Sequence, residues 1–285
     1  MQLISDWHRS RLAVAWLGFT DSLLRRRVTG DCPVVVSLTT HGERLKTVHS
    51  SIQSIVAGTV RPSRLILWLD GDPAQPLTPQ LQRLRARGLE IRFDRHFGPH
   101  KKYYSYVRQF ADAGLALVTA DDDVLYARDW LVGLVQAHRV RPDLVNCYMA
   151  RRVATGAGGL APYRDWRYAD SSEPSPRNFA LGVGGVIYPP RFVEVLRDAG
   201  EAFRRHCPKA DDIWLHAMAL RHGFSVRQIA PQPVFPLGVP FTQEQALFLT
   251  NQLAGGNDAQ ITATYSGDDL RRLEEAGERV QQAMA

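Results

Sequence analysis

With 285 residues the chain is long enough to bury a large core, as one α/β domain or as a domain with appendages. Its 45% hydrophobic and 22% charged residues are ordinary for a globular protein. The net charge of +6 favours an anionic partner such as a nucleotide, a phospholipid surface or an acidic glycan, and the absence of interleaved aromatic and basic residues argues against nucleic acid.

Cys32, Cys147 and Cys207 are odd in number, far apart and without CxxC spacing, which argues against a disulfide framework or a structural zinc and for a reducing cytoplasm. The first elements are N-terminal. No secretory signal is evident, and the apolar run Leu12 to Phe19 falls far short of the ~20 residues that span a bilayer. Leu12, Trp16, Phe19 and Leu23 recur at helical spacing, with Trp7, His8, Arg9 and Arg11 before them and Arg25, Arg26 and Arg27 after. Residues 1–30 therefore read as an amphipathic helical segment. Its residues 1–28 could lie on an anionic membrane at the inner face, or the stripe could pack on the domain or on a second subunit.

Strand and helix patterns then alternate. Pro33 to Thr40 is a β-branched strand, followed by a helix from Arg44 to Ala57. Arg64 to Asp70 reads as a buried strand ending in a carboxylate, Pro79 to Arg87 as helix, and Leu89 to Phe93 as strand. Lys102 to Ala113 is helical, Leu115 to Ala120 a strand, Trp130 to Arg139 a helix, and Asp143 to Met149 a strand. Such alternation predicts a mainly parallel sheet covered on both faces, with ligands at the carboxyl ends of the strands. Thr39, Thr40, Asp70 and Asp121–Asp123 all fall at those ends.

The irregular stretch Ala154 to Asn178 is long enough to be functional or mobile. Phe179 to Tyr188 resumes as a strand broken by Gly182, Gly184 and Gly185, which marks either a bulged edge or a close approach to the backbone. Helices follow over Arg191 to Ala199 and Asp211 to His222. Leu237 to Asn257 is irregular to partly helical, and Asp268 to Ala283 is an amphipathic helix.

Two acidic clusters carry chemistry. Asp121, Asp122 and Asp123 end an apolar strand, where adjacent carboxylates must be solvated, hydrogen-bonded or neutralised. In extended chain Asp121 and Asp123 share a face while Asp122 points away, so the pair suits Mg²⁺ or Mn²⁺; an acidic turn capping the next helix is the plainer alternative. Asp211 and Asp212 open a helix, a position favoured by its dipole, and one of them could accept a proton from an attacking hydroxyl. His216, one turn on, is placed to orient Asp212, although a lone helix histidine is more often structural.

The order of these elements resembles the GT-A glycosyltransferases, especially bacterial enzymes of the family 2 type that build surface polysaccharides. The resemblance runs from about Val34 to about His222. It rests on SLTTHGERLKTVHSSIQSI, LILWLD, FGPHKKYYSYV, VTADDDVLY, GVGGVIYP and ADDIWLHAMA. It implies an α/β fold of GT-A (Rossmann-like) type, a mixed but mainly parallel sheet flanked by helices, with N- and C-terminal helical appendages. The catalytic domain would span 31–235, with a nucleotide-binding half 31–125 and an acceptor half 126–235, followed by a helical extension 236–285.

The resemblance further implies a nucleoside-diphosphate sugar donor, UDP favoured over GDP, held with Mn²⁺ or Mg²⁺. Asp123 would bind the metal and Asp121 the metal or the ribose, with Asp122 beside them in the donor site. Thr39, Thr40 and Arg44 would line the nucleotide pocket, Asp70 would approach the base, and Lys101 or Lys102 would face the diphosphate. Gly184, Gly185 and Trp214 would lie by the sugar or acceptor. Asp212 would be the general base of an inverting displacement, with Asp211 open as the alternative because Glu is common at that position. A further metal-binding histidine has no clear counterpart, since Gln232 and Pro233 occupy its region. The acceptor would be a glycan or a lipid-linked saccharide. Three rivals share parts of this pattern. An aspartyl-nucleophile phosphatase expects Thr or Val where Leu125 stands, and a sugar nucleotidyltransferase expects a glycine-rich basic loop after the first strand. The third is a non-catalytic nucleotide-sugar-binding module.

Overall fold

A computed structural model describes residues 2–156, 159–242 and 256–284. Helix α1 (Gln2–Leu24) precedes β1 (Cys32–Thr39), a 3₁₀ turn (Gly42–Lys46) and α2 (Val48–Val56). Next come β2 (Pro62–Leu69), α3 (Pro79–Arg85), β3 (Glu90–Phe93), α4 (Lys101–Phe110), β4 (Ala116–Thr119), β5 (Val124–Leu125) and α5 (Trp130–Val140). The second half holds β6 (Val145–Cys147), β7 (Ala150–Arg152), a small hairpin of β8 (Thr155–Gly156) and β9 (Gly159–Leu160), β10 (Asn178–Ala180) and β11 (Val186–Tyr188). It continues with α6 (Pro190–Ala199), α7 (Phe203–His206), α8 (Asp211–Arg221), β12 (Val226–Gln228), β13 (Leu237–Gly238), α9 (Gly256–Thr264) and α10 (Gly267–Met284).

Seven strands form the central sheet in the order β12-β6-β11-β4-β1-β2-β3. Neighbours pair in parallel except β11, which opposes both β4 and β6. The expected mainly parallel α/β fold is borne out. Its strands are continuous apolar runs because both faces are covered. Val35, Ile66, Trp68 and Leu117 enter one core layer, against α4, α6 and α8; Val36, Leu38, Leu65, Leu67 and Val118 enter the other, against α2, α3 and α5. This is the two-residue period of a strand.

Two features differ from the sequence reading. The glycine-rich stretch is not one strand: β10 pairs with β7 outside the central sheet, a 3₁₀ turn spans Gly182–Gly184, and β11 then joins the sheet. Gly185 has φ +93, and a Cβ there would lie 2.4 Å from Trp130 Nε1, so only glycine turns the corner. The apolar stripe of α1 also does not pack on the domain. Helix α1 rests on α2 through its other side, where Ser10 is buried and Asp21 accepts from Gln53 Nε2 (3.0 Å) and from the Arg87 guanidinium (2.7 and 2.8 Å). Leu12, Trp16, Phe19 and Leu23 are left exposed. Most of the irregular segment expected over Leu237 to Asn257 lies outside the described residues.

The topology fixes one rim. The carboxyl ends of β1, β2 and β4 lie side by side, and because β11 is antiparallel its first residue, Val186, pairs with both Thr119 and Cys147 at that same end. The Gly182–Gly184 turn and the N-termini of α4 and α8 complete this rim, as the contacts below show.

Candidate functional site

Lys102, second residue of α4, joins the two acidic clusters. It is 6% exposed, and its ammonium lies 2.7 Å from Asp121 Oδ1 and 3.1 Å from Asp211 Oδ2. Burial alone would lower its pKa; the charges of Asp121, Asp211 and Asp212 outweigh that and hold it well above the ordinary lysine value. Its backbone is pinned too, since the Ser37 hydroxyl donates to the Lys102 carbonyl and accepts from Trp68 Nε1 at 2.9 Å.

At the β4 tip Arg44 forks between Asp122 Oδ1 (2.9 Å) and Asp123 Oδ2 (3.0 Å). Asp122 does not point away from Asp123, because the two meet on one guanidinium while Asp121 turns to Lys102; Arg44, expected beside the nucleotide, organises the acidic tip itself. Burial raises the Asp122 pKa, with Arg44 and the adjacent Thr40 hydroxyl acting in the opposite sense. Burial and repulsion from Asp121 push Asp123 up to about 6. The tip is held from behind by Asp121 N–H donating to Tyr126 Oη (2.7 Å) and by Val239 N–H donating to the Asp123 carbonyl (2.7 Å).

Asp211 and Asp212 are the first residues of α8. Asp211 is 6% exposed. Burial raises its pKa against the opposing pull of Lys102. Both oxygens of Asp212 lie 3.1 Å from the Gly182 N–H, which donates to them. Burial and the neighbouring charge of Asp211 push Asp212 up to about 7.

The other expected residues are placed as follows. Lys101 is buried against Asp70, the Leu69 carbonyl (3.2 Å) and the Asp94 carbonyl (3.0 Å), and burial lowers its pKa to about 8. Asp70 also meets His96 Nδ1 at 3.1 Å. Thr39 Oγ1 donates to the Trp68 carbonyl at 3.0 Å. At Gly184 a Cβ would lie 2.9 Å from Met149 Cγ, and its carbonyl accepts from Trp130 Nε1 at 2.8 Å. The groups that approach Gly184 and Gly185 most closely are therefore side chains of this chain. Trp214 is 2% exposed in the core beside Phe203 and His206. His216 does not orient Asp212: it meets Tyr265 Oη (2.6 Å) and the Pro176 carbonyl (2.9 Å), and burial lowers its pKa to about 4.

Two further residues of the rim lie outside the expected site residues. A Cβ on Gly182 would lie 2.9 Å from Asp212 Oδ1 and 3.0 Å from Lys102 Nζ, so a bare backbone here lets the amide reach the carboxylate. His100 is fully buried, meets Tyr103 Oη (2.9 Å) and the Cys207 carbonyl (2.7 Å), and stacks on Phe203 at 4.1 Å. It ties the start of α4 to the segment that leads into α8.

Among the described residues, no group of three or more His, Cys, Asp or Glu side chains is arranged to hold a metal ion alone. A carboxylate pair strained by its own repulsion still fits Mg²⁺ or Mn²⁺, hard ions that take few protein oxygens and fill the remaining positions with phosphate and water.

No protein-family model matches the chain, and no curated protein matches it in sequence. Solved structures do share its shape. The mannosyltransferase PcManGT from Pyrobaculum calidifontis, in complex with GDP-Man and Mn²⁺, has a TM-score of 0.53 at 16% identity, over 95% of this chain and 78% of that one. GalNAc-T7 with UDP, GalNAc and Mn²⁺ gives a TM-score of 0.47 at 13% identity, over 68% of this chain, which spans only 41% of the length of that protein. CMP:2-keto-3-deoxy-manno-octonic acid synthetase complexed with CTP gives 0.45 at 12%, over 78% of this chain and all of that one. The fold of this chain is the GT-A, Rossmann-like fold that its sequence resembles.

Proposed function

We propose that the chain is a glycosyltransferase that moves a sugar from a nucleoside-diphosphate donor to a hydroxyl of a glycan or lipid-linked acceptor, with inversion, in surface-polysaccharide synthesis on the cytoplasmic side. The observation that carries this reading is Lys102, which brings the acidic tip of β4 and the acidic start of α8 onto one rim. The fold shared with a mannosyltransferase solved with GDP-Man and Mn²⁺ supports it as a fold-level analogy. Residues 31–125 form the donor half and 126–235 the acceptor half, with 1–30 and 236–285 as appendages.

Asp123 and Asp121 would hold Mn²⁺ or Mg²⁺, which when bound offsets the charge that develops on the departing diphosphate. Thr39 and Asp70 would face the nucleoside, UDP being favoured over GDP; Thr40, buried at 1% exposure, backs Asp122 instead, and Lys101 keeps Asp70 in place. Arg44 and Lys102 hold the aspartates in a fixed array, so little reorganisation is needed when the donor arrives. Asp212 takes the acceptor proton. Its carboxyl, raised to about 7, is matched to proton transfer near neutral pH, and the Gly182 amide fixes its direction. Asp211 keeps Lys102 turned toward that base.

Thermal stabilisation by a panel of nucleoside diphosphates tests the reading. A nucleoside diphosphate with Mn²⁺ should raise the Tm by mass action, more than either component alone. No shift with any diphosphate in Mn²⁺ overturns it.

A further inference from the structure

The apolar face of α1 has no partner in the fold, and its charge pattern says what covers it. Leu12, Trp16, Phe19 and Leu23 are 72%, 65%, 61% and 68% exposed. They follow one another at intervals of four, three and four residues and so share one side of the helix. Ser10, Val14, Leu17 and Asp21 repeat the same intervals two residues earlier, which is about 200° around the axis. That opposite side is the one turned to α2, with Ser10 buried and Asp21 bound to Gln53 and Arg87. The stripe is thus held outward by polar contacts made behind it.

Cations stand at both ends of the stripe. Arg9, Arg11, Arg25 and Arg27 are exposed and Arg26 half-buried. The helix's two carboxylates are already engaged, Asp6 beside Arg9 (3.4 Å) and Asp21 with Arg87. No helix among the described residues is long and apolar enough to cross a membrane. We propose that α1 lies flat on an anionic phospholipid bilayer, with Leu12, Trp16, Phe19 and Leu23 inserted at the headgroup boundary and the flanking arginines on lipid phosphates. A second copy of the chain fits this face less well. A two-fold pairing of the helices, parallel or antiparallel, sets one arginine-rich end against another.

The inner side of α1 also reaches the strand beside the acidic tip. Helix α1 packs on β13, whose Leu237 and Gly238 pair with Leu125 and Val124 directly after the acidic tip. On that inner side Trp7 meets the exposed Phe241 edge-on at 6.4 Å.

Co-sedimentation of the full chain with vesicles tests the proposal. The chain should pellet with phosphatidylcholine vesicles containing roughly a third phosphatidylglycerol, far less with phosphatidylcholine alone, and less as salt rises. The double variant Trp16→Glu, Phe19→Glu should weaken that binding roughly ten-fold or more while the Tm stays unchanged, since both side chains are exposed. Three results overturn it: no binding to the anionic vesicles, equal binding by the double variant, or a dimer that the same substitutions disperse in place of vesicle binding. Vesicle binding and stabilisation by nucleoside diphosphates are read separately, so the failure of one is distinguishable from the failure of the other.

Discussion

The tip of β4 and the start of α8 both set aspartates side by side, and the fold treats them differently. At the tip the charges are met by cations: Asp121 by Lys102, and Asp122 with Asp123 by the fork of Arg44. At α8, Asp211 shares that same Lys102 while Asp212 turns to a backbone amide. Repulsion at the tip is thus offset by fixed positive charge, which holds the three aspartates in place. At α8, burial and the charge of Asp211 push the Asp212 carboxyl up to about 7. Each cluster holds a carboxyl raised above the ordinary range, Asp123 in one and Asp212 in the other, and Lys102 is the residue they share.

Removing the shared residue breaks the comparison most severely. Lys102→Met leaves Asp121 and Asp211 without their common cation in a buried place, and should cost about 3–5 kcal/mol of stability together with transfer. Denaturant unfolding measures it; a variant as stable and active as the parent would dissolve the link between the clusters.

Separate substitutions sharpen the contrast. Asp212→Asn should slow transfer by about 10²–10⁴-fold while donor binding persists. Asp123→Ala should abolish the metal-dependent transfer and remove the added stabilisation that Mn²⁺ gives with a nucleoside diphosphate. Steady-state rates beside thermal shifts separate the two, and retained turnover in either variant counts against its assigned role.

The smallest effect is the pH profile at saturating Mn²⁺. A base must be ionised to act, so a carboxyl raised to about 7 makes kcat/KM climb roughly ten-fold per unit below that pH and level off above it. Asp123, pushed up to about 6, ionises in the same direction, so donor affinity should also strengthen as pH rises through that range. A rate that falls between pH 6 and 8 would reverse the assignment of Asp212.

Much of the fold could be read in advance where burial on both faces leaves an uninterrupted apolar run, as in β1, β2 and β4. β12 could not. Its three residues, Val226–Gln228, are too short to show a period, and they belong to the sheet only because β6 pairs with them. The resemblance sets Trp214 by the sugar or acceptor, yet the turn of the helix carries its indole into the core. Gly182 looked like any glycine of an interrupted strand; its need to lack a side chain comes from the Asp212 carboxylate and the Lys102 ammonium, which are distant in sequence.

By itself the sequence determined the alternation of elements, the acidic ends of β4 and α8, and the apolar stripe of α1, because each is written in neighbouring residues through strand or helix period. Only the tertiary structure decided that Lys102 joins both acidic ends, that Arg44 serves the aspartates, and that the stripe points away from the domain. Those facts depend on which groups meet across the chain, and local periodicity holds no information about such encounters.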